Sequence, residues 1–142
     1  MPLKIIDYGT KEYDLMVELR NEILRKPLGM ILDETDISAD RDNILIGAFE
    51  EDKMLGCCML VRENMNSVLL RQMAVRNQLQ GKGIGRALMD FAEAIARDIG
   101  CREISMHARS TSAGFYEKMG YRTSGDTFMK LSIPHILMTK RI

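Results

Sequence analysis

The chain has 142 residues, of which 46% are hydrophobic and 28% charged, and we expect one globular domain with a substantial core over residues 1–142. The 20 basic and 20 acidic residues give a formal net charge of zero, which argues against a protein built mainly to bind nucleic acid. The N-terminal segment lacks the long apolar core of a signal peptide, and no apolar run reaches membrane-spanning length, so we predict no membrane partner.

The cysteines do not form the pattern of a disulfide framework. Cys57 and Cys58 are adjacent in an apolar run, and Cys101 leaves the total odd. We interpret all three as reduced core residues of a cytoplasmic protein. Because only His107 and His135 accompany them, and no C-x-x-C pair is present, we expect no metal site.

The first third of the chain predicts a strand, a helix and an acidic segment. Residues 3–8 have strand character, and Thr10 is suited to cap a helix over residues 11–24. The Pro-Leu-Gly run at 27–29 should end that helix. Residues 30–42 are acidic and form either a loop or a short helix.

Three consecutive strands are predicted next, joined by polar turns: residues 44–49, 54–61 and 68–75. Residues 84–99 then repeat apolar side chains at steps of three and four, the period of an amphipathic helix. The pattern assigns Glu93 to the polar side of this helix, and Gly100 is a natural C-cap.

The remaining elements complete a mixed sheet. Residues 103–108 form a strand that should lie parallel to residues 68–75, because a helix connects the two. A short helix at 112–119 and closing strands at 121–123 and 136–140 follow. The predicted fold class is α+β, with a mixed, mostly antiparallel central sheet flanked by helices.

A glycine-rich loop lies between the third strand and the long helix. Gly81, Gly83 and Gly85 bring no Cβ atoms that would hold a ligand away from the backbone. A helix start adds unpaired N–H groups and the positive end of the helix dipole, so the loop predicts a phosphate or pyrophosphate site. Lys82 and Arg86 add positive charge beside it. A tight turn without a ligand is the simpler alternative.

Two common phosphate-binding patterns do not fit this loop. A P-loop needs G-x-x-x-x-G-K-[ST], and residues 81–86 contain no Ser or Thr to hold magnesium. A dinucleotide fingerprint needs G-x-G-x-x-G after the first strand of an alternating chain, whereas the third glycine position here is Arg86. A nucleotide-binding module is therefore the weakest interpretation of the loop.

Gln80, Gly83 and Gly85 form the pattern Q-x-x-G-x-G between a strand that ends Met-Ala-Val and an amphipathic helix. This pattern resembles the coenzyme A loop of the GCN5-related N-acetyltransferases. Residues 115–121, FYEKMGY, resemble the closing F-Y-x-x-x-G-[FY] segment of the same family. The order of predicted elements is also similar, from about residue 3 to residue 140.

The resemblance implies the acyl-CoA N-acyltransferase fold and direct transfer of an acetyl group from acetyl-CoA to a primary amine of a small molecule or protein. It implies a bulge that separates the two parallel strands. It is also compatible with a homodimer, because relatives often pair as homodimers. Tyr116 would donate a proton to the leaving thiolate, although a core aromatic residue is the alternative. The residues assigned to CoA are Met73, Ala74 and Val75 for the pantetheine arm and Gln80, Gly81, Lys82, Gly83, Ile84, Gly85 and Arg86 for the pyrophosphate.

The chain departs from the family pattern in two places. The strand before the loop carries Arg71 and Gln72 and no carboxylate that could deprotonate the amine. Glu63 and Glu34 have no further support, so no base is assigned. Arg109 stands where many relatives have asparagine, and contact with CoA phosphates is one role for it. The missing carboxylate raises a second hypothesis, a catalytically weak CoA-binding sensor or interaction module.

Two further features concern the amine acceptor. His135 precedes the predicted last strand and is either structural or a proton shuttle. Arg20, Arg25 and Lys26 lie in and after the first helix, which helps to wall the acceptor pocket in the family. They either favour an acidic acceptor or form a solvated basic face.

Overall fold

The computed structural model describes residues 1–142 throughout, and a seven-stranded sheet forms its centre. The strands are β1 (Leu3–Ile6), β2 (Ile44–Glu50), β3 (Lys53–Arg62), β4 (Ser67–Val75), β5 (Glu103–Arg109), β6 (Arg122–Lys130) and β7 (Ile133–Arg141). Their order across the sheet is β1-β2-β3-β4-β5-β7-β6, and of the neighbouring pairs only β4 and β5 run parallel. The predicted α+β fold with a mostly antiparallel sheet is therefore confirmed.

Each face of the sheet has its own hydrophobic core and its own principal helix. The α-helices are α1 (Lys11–Arg20), α2 (Glu34–Ser38), α3 (Ile84–Asp98) and α4 (Ala113–Glu117). On one side, here called the α3 face, Leu88 and Met89 of α3 are fully buried in the larger core. On the other, the α1 face, Met16 and Leu19 of α1 are buried in the smaller core. The helices are all too short or too polar to cross a membrane.

The first helix begins as predicted and ends in two unusual turns. The Thr10 side chain accepts a hydrogen bond from the backbone N–H of Tyr13, as expected of a cap. After α1 the chain continues as a π-helical turn, Asn21–Arg25, and then as a 3₁₀ turn, Lys26–Leu28. Gly29 closes this segment with a φ of 71°, a conformation that glycine adopts without strain.

The last two strands are longer than predicted. Only residues 121–123 and 136–140 were expected to be extended, but β6 and β7 form a hairpin around a tight turn at residues 131–132, both with positive φ. The middle of β6 is polar, exposed and shifted in register, so it lacks the alternation that marks a strand in sequence. His135 consequently lies inside β7 and does not precede it.

Glu93 is buried on α3, although its position in the helical pattern assigned it to solvent. Its carboxylate accepts a hydrogen bond from Lys140 Nζ at 3.0 Å and another from the Tyr121 hydroxyl at 3.0 Å. Lys140 belongs to β7, and Tyr121 immediately precedes β6. The periodicity of α3 alone could not predict partners so distant in the chain.

The α1 face encloses a buried ion pair. Arg20 is 1% exposed and Asp40 is 2% exposed. Arg20 Nη1 donates a hydrogen bond to Asp40 Oδ2 at 2.6 Å, and the Tyr13 hydroxyl donates to the same oxygen at 2.7 Å. The expectation that Arg20 walls an acceptor pocket or belongs to a solvated face is therefore wrong. Its role is to fasten α1 to the segment that leads into β2.

Replacing Asp40 by asparagine should lower the free energy of unfolding by about 3–5 kcal/mol, because the charge of Arg20 would remain buried without a counter-charge. Urea denaturation followed by circular dichroism measures this loss. Glu22→Gln is the control, since it breaks the solvent-exposed Arg76–Glu22 ion pair and should cost about 1 kcal/mol or less. Equal losses in the two variants would contradict the structural role of the buried pair.

Candidate active site

The parallel strands β4 and β5 separate partway along their length. They pair only as far as Leu70 and Met106. Beyond this point a bulge in β4 places Gln72 and Met73 opposite a single residue of β3, and Gln72 takes a φ of 58°. β5 continues alongside β7 as far as Arg109. The two strands thus enclose a V-shaped gap, as the resemblance implied.

The gap opens into a cleft of about 770 Å³. The predicted site residues that line it are Met73, Ala74, Val75, Gln80, Gly81, Gly83, Gly85, Arg86, Arg109 and Tyr116. The side chains of Lys82 and Ile84 do not line it. Lys82 is exposed to solvent, and Ile84 is buried in the core of the α3 face. Any contact with a ligand at these two positions would come from their backbone amides.

The glycine-rich loop ends where α3 begins. Gly83 caps α3 with a φ of 86° and without a side-chain hydrogen bond, so no side chain covers the first N–H groups of the helix. Gly81 also has a positive φ, and a Cβ added at either glycine would meet no atom within 4 Å. Gln80 Nε2 donates to the Val75 carbonyl at 3.2 Å and ties the loop to the end of β4. The loop therefore presents its backbone to open space.

The glycine-rich loop contacts residues 115–121, the second segment that resembles the family. A Cβ on Gly85 would lie 3.2 Å from Phe115 Cζ, closer than ordinary packing. Phe115 in turn packs edge-on against Tyr116, with ring centroids 4.9 Å apart. Glycine at position 85 thus allows α4 to lie directly against the start of α3, beside the cleft.

Tyr116 lies on α4 with only 6% of its surface exposed. Burial, and secondarily the neighbouring Cys58 thiol, raises the pKa of the Tyr116 phenol above its ordinary value of 10.0. The hydroxyl therefore stays protonated at physiological pH. A protonated phenol at the wall of a cleft can donate its proton to a strong base that forms beside it.

Carboxylates are absent from the lining of the cleft. Glu63, considered above as a base, lies outside it and accepts a hydrogen bond from Ser105 Oγ at 3.3 Å. Glu34, the other candidate, is exposed at the start of α2. No group of three or more His, Cys, Asp or Glu side chains is placed to hold a metal ion.

Three positive side chains and two histidines line the cleft, which has no carboxylate to serve as a base. They are Arg25, Arg71, Lys130, His107 and His135. Of these five residues, the sequence analysis named only Arg25 and His135 for the acceptor side, and Lys26, named with them, does not line the cleft. Lys130 and His107 escaped notice because the β6–β7 hairpin and its pairing with β5, which bring them here, were not predicted in full.

The two histidines differ in their surroundings. His135 Nδ1 lies 2.7 Å from the Ile133 carbonyl oxygen, so this nitrogen carries a proton. Burial, followed by the positive charges of Lys130 and Arg71, lowers the pKa of His107 from its usual value of 6.5. His107 is therefore neutral at pH 7 and has a lone pair available to accept a proton.

Comparison with known protein families agrees with this geometry. The model of a family described as an acetyltransferase (GNAT) domain matches residues 31–142. A Bacillus subtilis (strain 168) protein that bears the name "Putative acetyltransferase" is 32% identical over an alignment of 139 residues, which covers 93% of this chain and 92% of that protein. The match extends over nearly the full length of both chains, including the glycine-rich loop and the segment around Tyr116.

Solved structures share the whole fold at low sequence identity. A GNAT family acetyltransferase from Elizabethkingia anophelis with acetyl-CoA bound has a TM-score of 0.75 and 19% identity, covering 99% of this chain and 97% of the other. An aminoglycoside 6'-N-acetyltransferase complexed with coenzyme A has a TM-score of 0.83 and 16% identity, with the same coverage of both chains. From the family model and the Bacillus relative we conclude that the chain belongs to the GNAT acetyltransferase family and is an acetyl-CoA-dependent N-acyltransferase.

Proposed function

We infer that the cleft between β4 and β5 transfers an acetyl group directly from acetyl-CoA to a primary amine of a small molecule. The observation that carries this proposal is the V-shaped gap, which opens beside a glycine-rich loop at the start of α3. Acetyl-CoA would enter from one side and place its thioester in the gap. The amine would reach the thioester from the other side. One domain, residues 1–142, supplies all of these parts.

The loop is the proposed binding site for the CoA pyrophosphate. The backbone N–H groups from Gly81 to Arg86, headed by Gln80, would donate to phosphate oxygens at the positive end of the α3 dipole. The guanidinium of Arg86 lines the cleft beside them and would add a charge-assisted contact. Arg109, at the end of β5, also lines the cleft and would contact the CoA chain where it enters the gap.

The backbone of β4 beyond the bulge is the proposed partner of the pantetheine arm. Met73, Ala74 and Val75 have no strand partner on the side of β5, because the pairing of β4 with β5 stops at Leu70. A backbone amide or carbonyl without a partner gains most from a ligand that supplies one. The amide groups of pantetheine would therefore extend the sheet along this edge.

Tyr116 is the proposed proton donor. As the acyl group moves to the amine, negative charge develops on the leaving sulfur of CoA, and the protonated Tyr116 hydroxyl would stabilise that charge by a hydrogen bond and supply its proton as the sulfur departs. The raised pKa of Tyr116 ensures that the proton is present when the thiolate forms. The site needs no metal for this step. The buried, unpaired thiols of Cys57, Cys58 and Cys101 support a reducing compartment, the cytoplasm.

His107 is the proposed proton acceptor for the amine. It faces the cleft from β5, it is neutral at pH 7, and no carboxylate competes for the role. His135 also lines the cleft, but it is buried within β7 and has one ring nitrogen engaged with its own strand. With Tyr116 as the acid and His107 as the base, the two groups would act from opposite sides of the bound thioester.

Wild-type protein should bind acetyl-CoA in isothermal titration calorimetry, and Gly83→Asp should weaken binding about 100-fold or more. A carboxylate about 4 Å from a phosphate charge costs about 4 kcal/mol in an effective dielectric near 20, and about 1.4 kcal/mol is tenfold in affinity. Gly83→Asn is the matched control, because it carries the same backbone strain without the charge. Equal affinities of the Asp and Asn variants would place the pyrophosphate elsewhere.

Tyr116→Phe should lower kcat about 100-fold, the lower end of what a positioned proton donor contributes, and leave the Kd for CoA within about twofold. Thiol release in the presence of an accepted amine measures kcat. Tyr121→Phe is the control, since the Tyr121 hydroxyl is bonded to Glu93 outside the cleft. It should lower thermal stability without a comparable loss of kcat. An unaltered kcat in Tyr116→Phe would remove this hydroxyl from the chemistry.

The pH profile of kcat/KM should fall on the acid side with a midpoint below 6.5, since the pKa of His107 is lowered and only its neutral form accepts a proton. His107→Gln should reduce kcat/KM about tenfold or more and abolish that acid limb. His135→Gln is the comparison. A profile that changes in the His135 variant and not in the His107 variant would transfer the role to His135.

A further inference from the structure

Three cations from separate parts of the chain meet in the cleft. Arg25 comes from the π-helical turn after α1, Arg71 from β4 just before the bulge, and Lys130 from the end of β6. All three line the cleft, which contains no Asp or Glu side chain. They are called the cationic cluster below. Nothing in the proposed binding of CoA uses them.

The three cluster residues form no ion pair within the chain. Three of the other arginines are paired: Arg20 with Asp40, Arg76 with Glu22 and Arg97 with Glu93. Unpaired positive charges that converge on one cleft create a positive potential there, and low-dielectric walls strengthen it.

Charges of the cluster act on two of its members, Lys130 and Arg25. Burial first, and then the charges of Arg71 and Arg25, lower the pKa of Lys130. Burial likewise lowers the pKa of Arg25; Asp36 opposes this effect, and the charges of Arg20, Arg71 and Arg109 add to it. Holding like charges together without a partner is unfavourable. A bound anion would relieve this repulsion.

The cluster lies on the opposite side of the sheet from the proposed pyrophosphate site. Successive residues of a strand face opposite sides, and Leu70 belongs to the core of the α3 face. Its neighbour Arg71 therefore faces the α1 side, where the turn carrying Arg25 packs against β4. The pyrophosphate loop is at the start of α3, on the other face. The cluster thus belongs to the side from which the amine would enter.

We propose that the cationic cluster of Arg25, Arg71 and Lys130 binds an anionic group of the acceptor, so that the substrate class is amines that carry a carboxylate or phosphate. This inference rests on the proposed function, because it names the acceptor of that same site. A positive environment also disfavours the ammonium form of the acceptor and so favours the neutral, nucleophilic amine. Polycationic amines are excluded by the same charges.

Acetyl transfer to matched acceptors tests the charge requirement. Aminocarboxylates of increasing length are each compared with their own amide, phosphoethanolamine is compared with ethanolamine, and spermidine represents polycations. We expect about tenfold or higher kcat/KM for the anionic member of at least one pair, and no measurable transfer to spermidine. Preference for carboxylates or for phosphoethanolamine identifies the anion. Equal or faster transfer to the neutral partners throughout would overturn the proposal.

Charge variants test the residues. Arg71→Gln and Lys130→Gln should each reduce kcat/KM for the preferred anionic acceptor about tenfold more than for its neutral partner, chiefly through KM. Lys130→Arg should restore most of the preference, because it keeps the charge. Arg122→Gln is the control, since Arg122 is exposed on β6 outside the cleft. Equal losses for charged and neutral acceptors, together with a weaker Kd for CoA, would assign the cluster to the donor and overturn the proposal.

Calorimetry separates this inference from the proposed function. If acetyl-CoA does not bind, the proposed function fails. The cluster is then judged by titrating the aminocarboxylates, phosphoethanolamine and their neutral partners directly into the protein. Tighter binding of the anionic members, lost in Arg71→Gln, would still support an anion site. If acetyl-CoA binds and neutral amines are acetylated as well as anionic ones, only the present inference fails.

Discussion

The bulge in β4 is the constraint on which the site depends. A parallel pair that continued in register past Leu70 would join β4 to β5 and close the cleft. The extra residue, with Gln72 at a φ of 58°, turns β4 away while β5 stays with β7. A non-glycine residue in this conformation costs about 1–3 kcal/mol, which the pairing of β4 with β3 on both sides of the bulge must offset.

Once the strands part, the two faces of the sheet acquire different chemistry. The α3 face offers a helix start with uncovered backbone donors, suited to a phosphate chain held by its oxygens. The α1 face offers side-chain cations and histidines, suited to a smaller charged molecule. The buried Arg20–Asp40 pair fixes α1 against the segment before β2. It thereby fixes the origin of the turn that carries Arg25 into the cleft.

Local sequence was sufficient to predict the parts of this protein that depend on local chemistry. The period of α3, the cap at Thr10, the strand–helix–strand unit and the glycine-rich loop follow from residue spacing and backbone freedom, and the structure contains them all. The bulge could not be predicted from residue spacing, because residues 68–75 read as one uninterrupted strand; only the family resemblance implied it. Arg20 and Glu93 are buried against partners 20 and 47 residues away in sequence. The apolar periodicity of a helix carries no information about partners so distant.

The acceptor side was the least predictable region for the same reason. Its cations and histidines come from four strands and a turn, and each looks like an ordinary surface residue in its own segment. Only the β6–β7 hairpin and the pairing of β7 with β5 bring Lys130, His107 and His135 together. The glycine-rich loop, by contrast, is one contiguous stretch, so its proposed function could be predicted from neighbouring residues.

The contact between Gly85 and Phe115 has a consequence for how such an enzyme can change. A side chain at position 85 would crowd the ring of Phe115, which packs edge-on against Tyr116 on the same helix. The glycine-rich loop and the helix that carries Tyr116 are thus coupled through one side-chain contact. The residues of the proposed cationic cluster lie on other elements, so we expect substitutions there to alter the choice of acceptor while the glycine-rich loop and Tyr116 keep their positions.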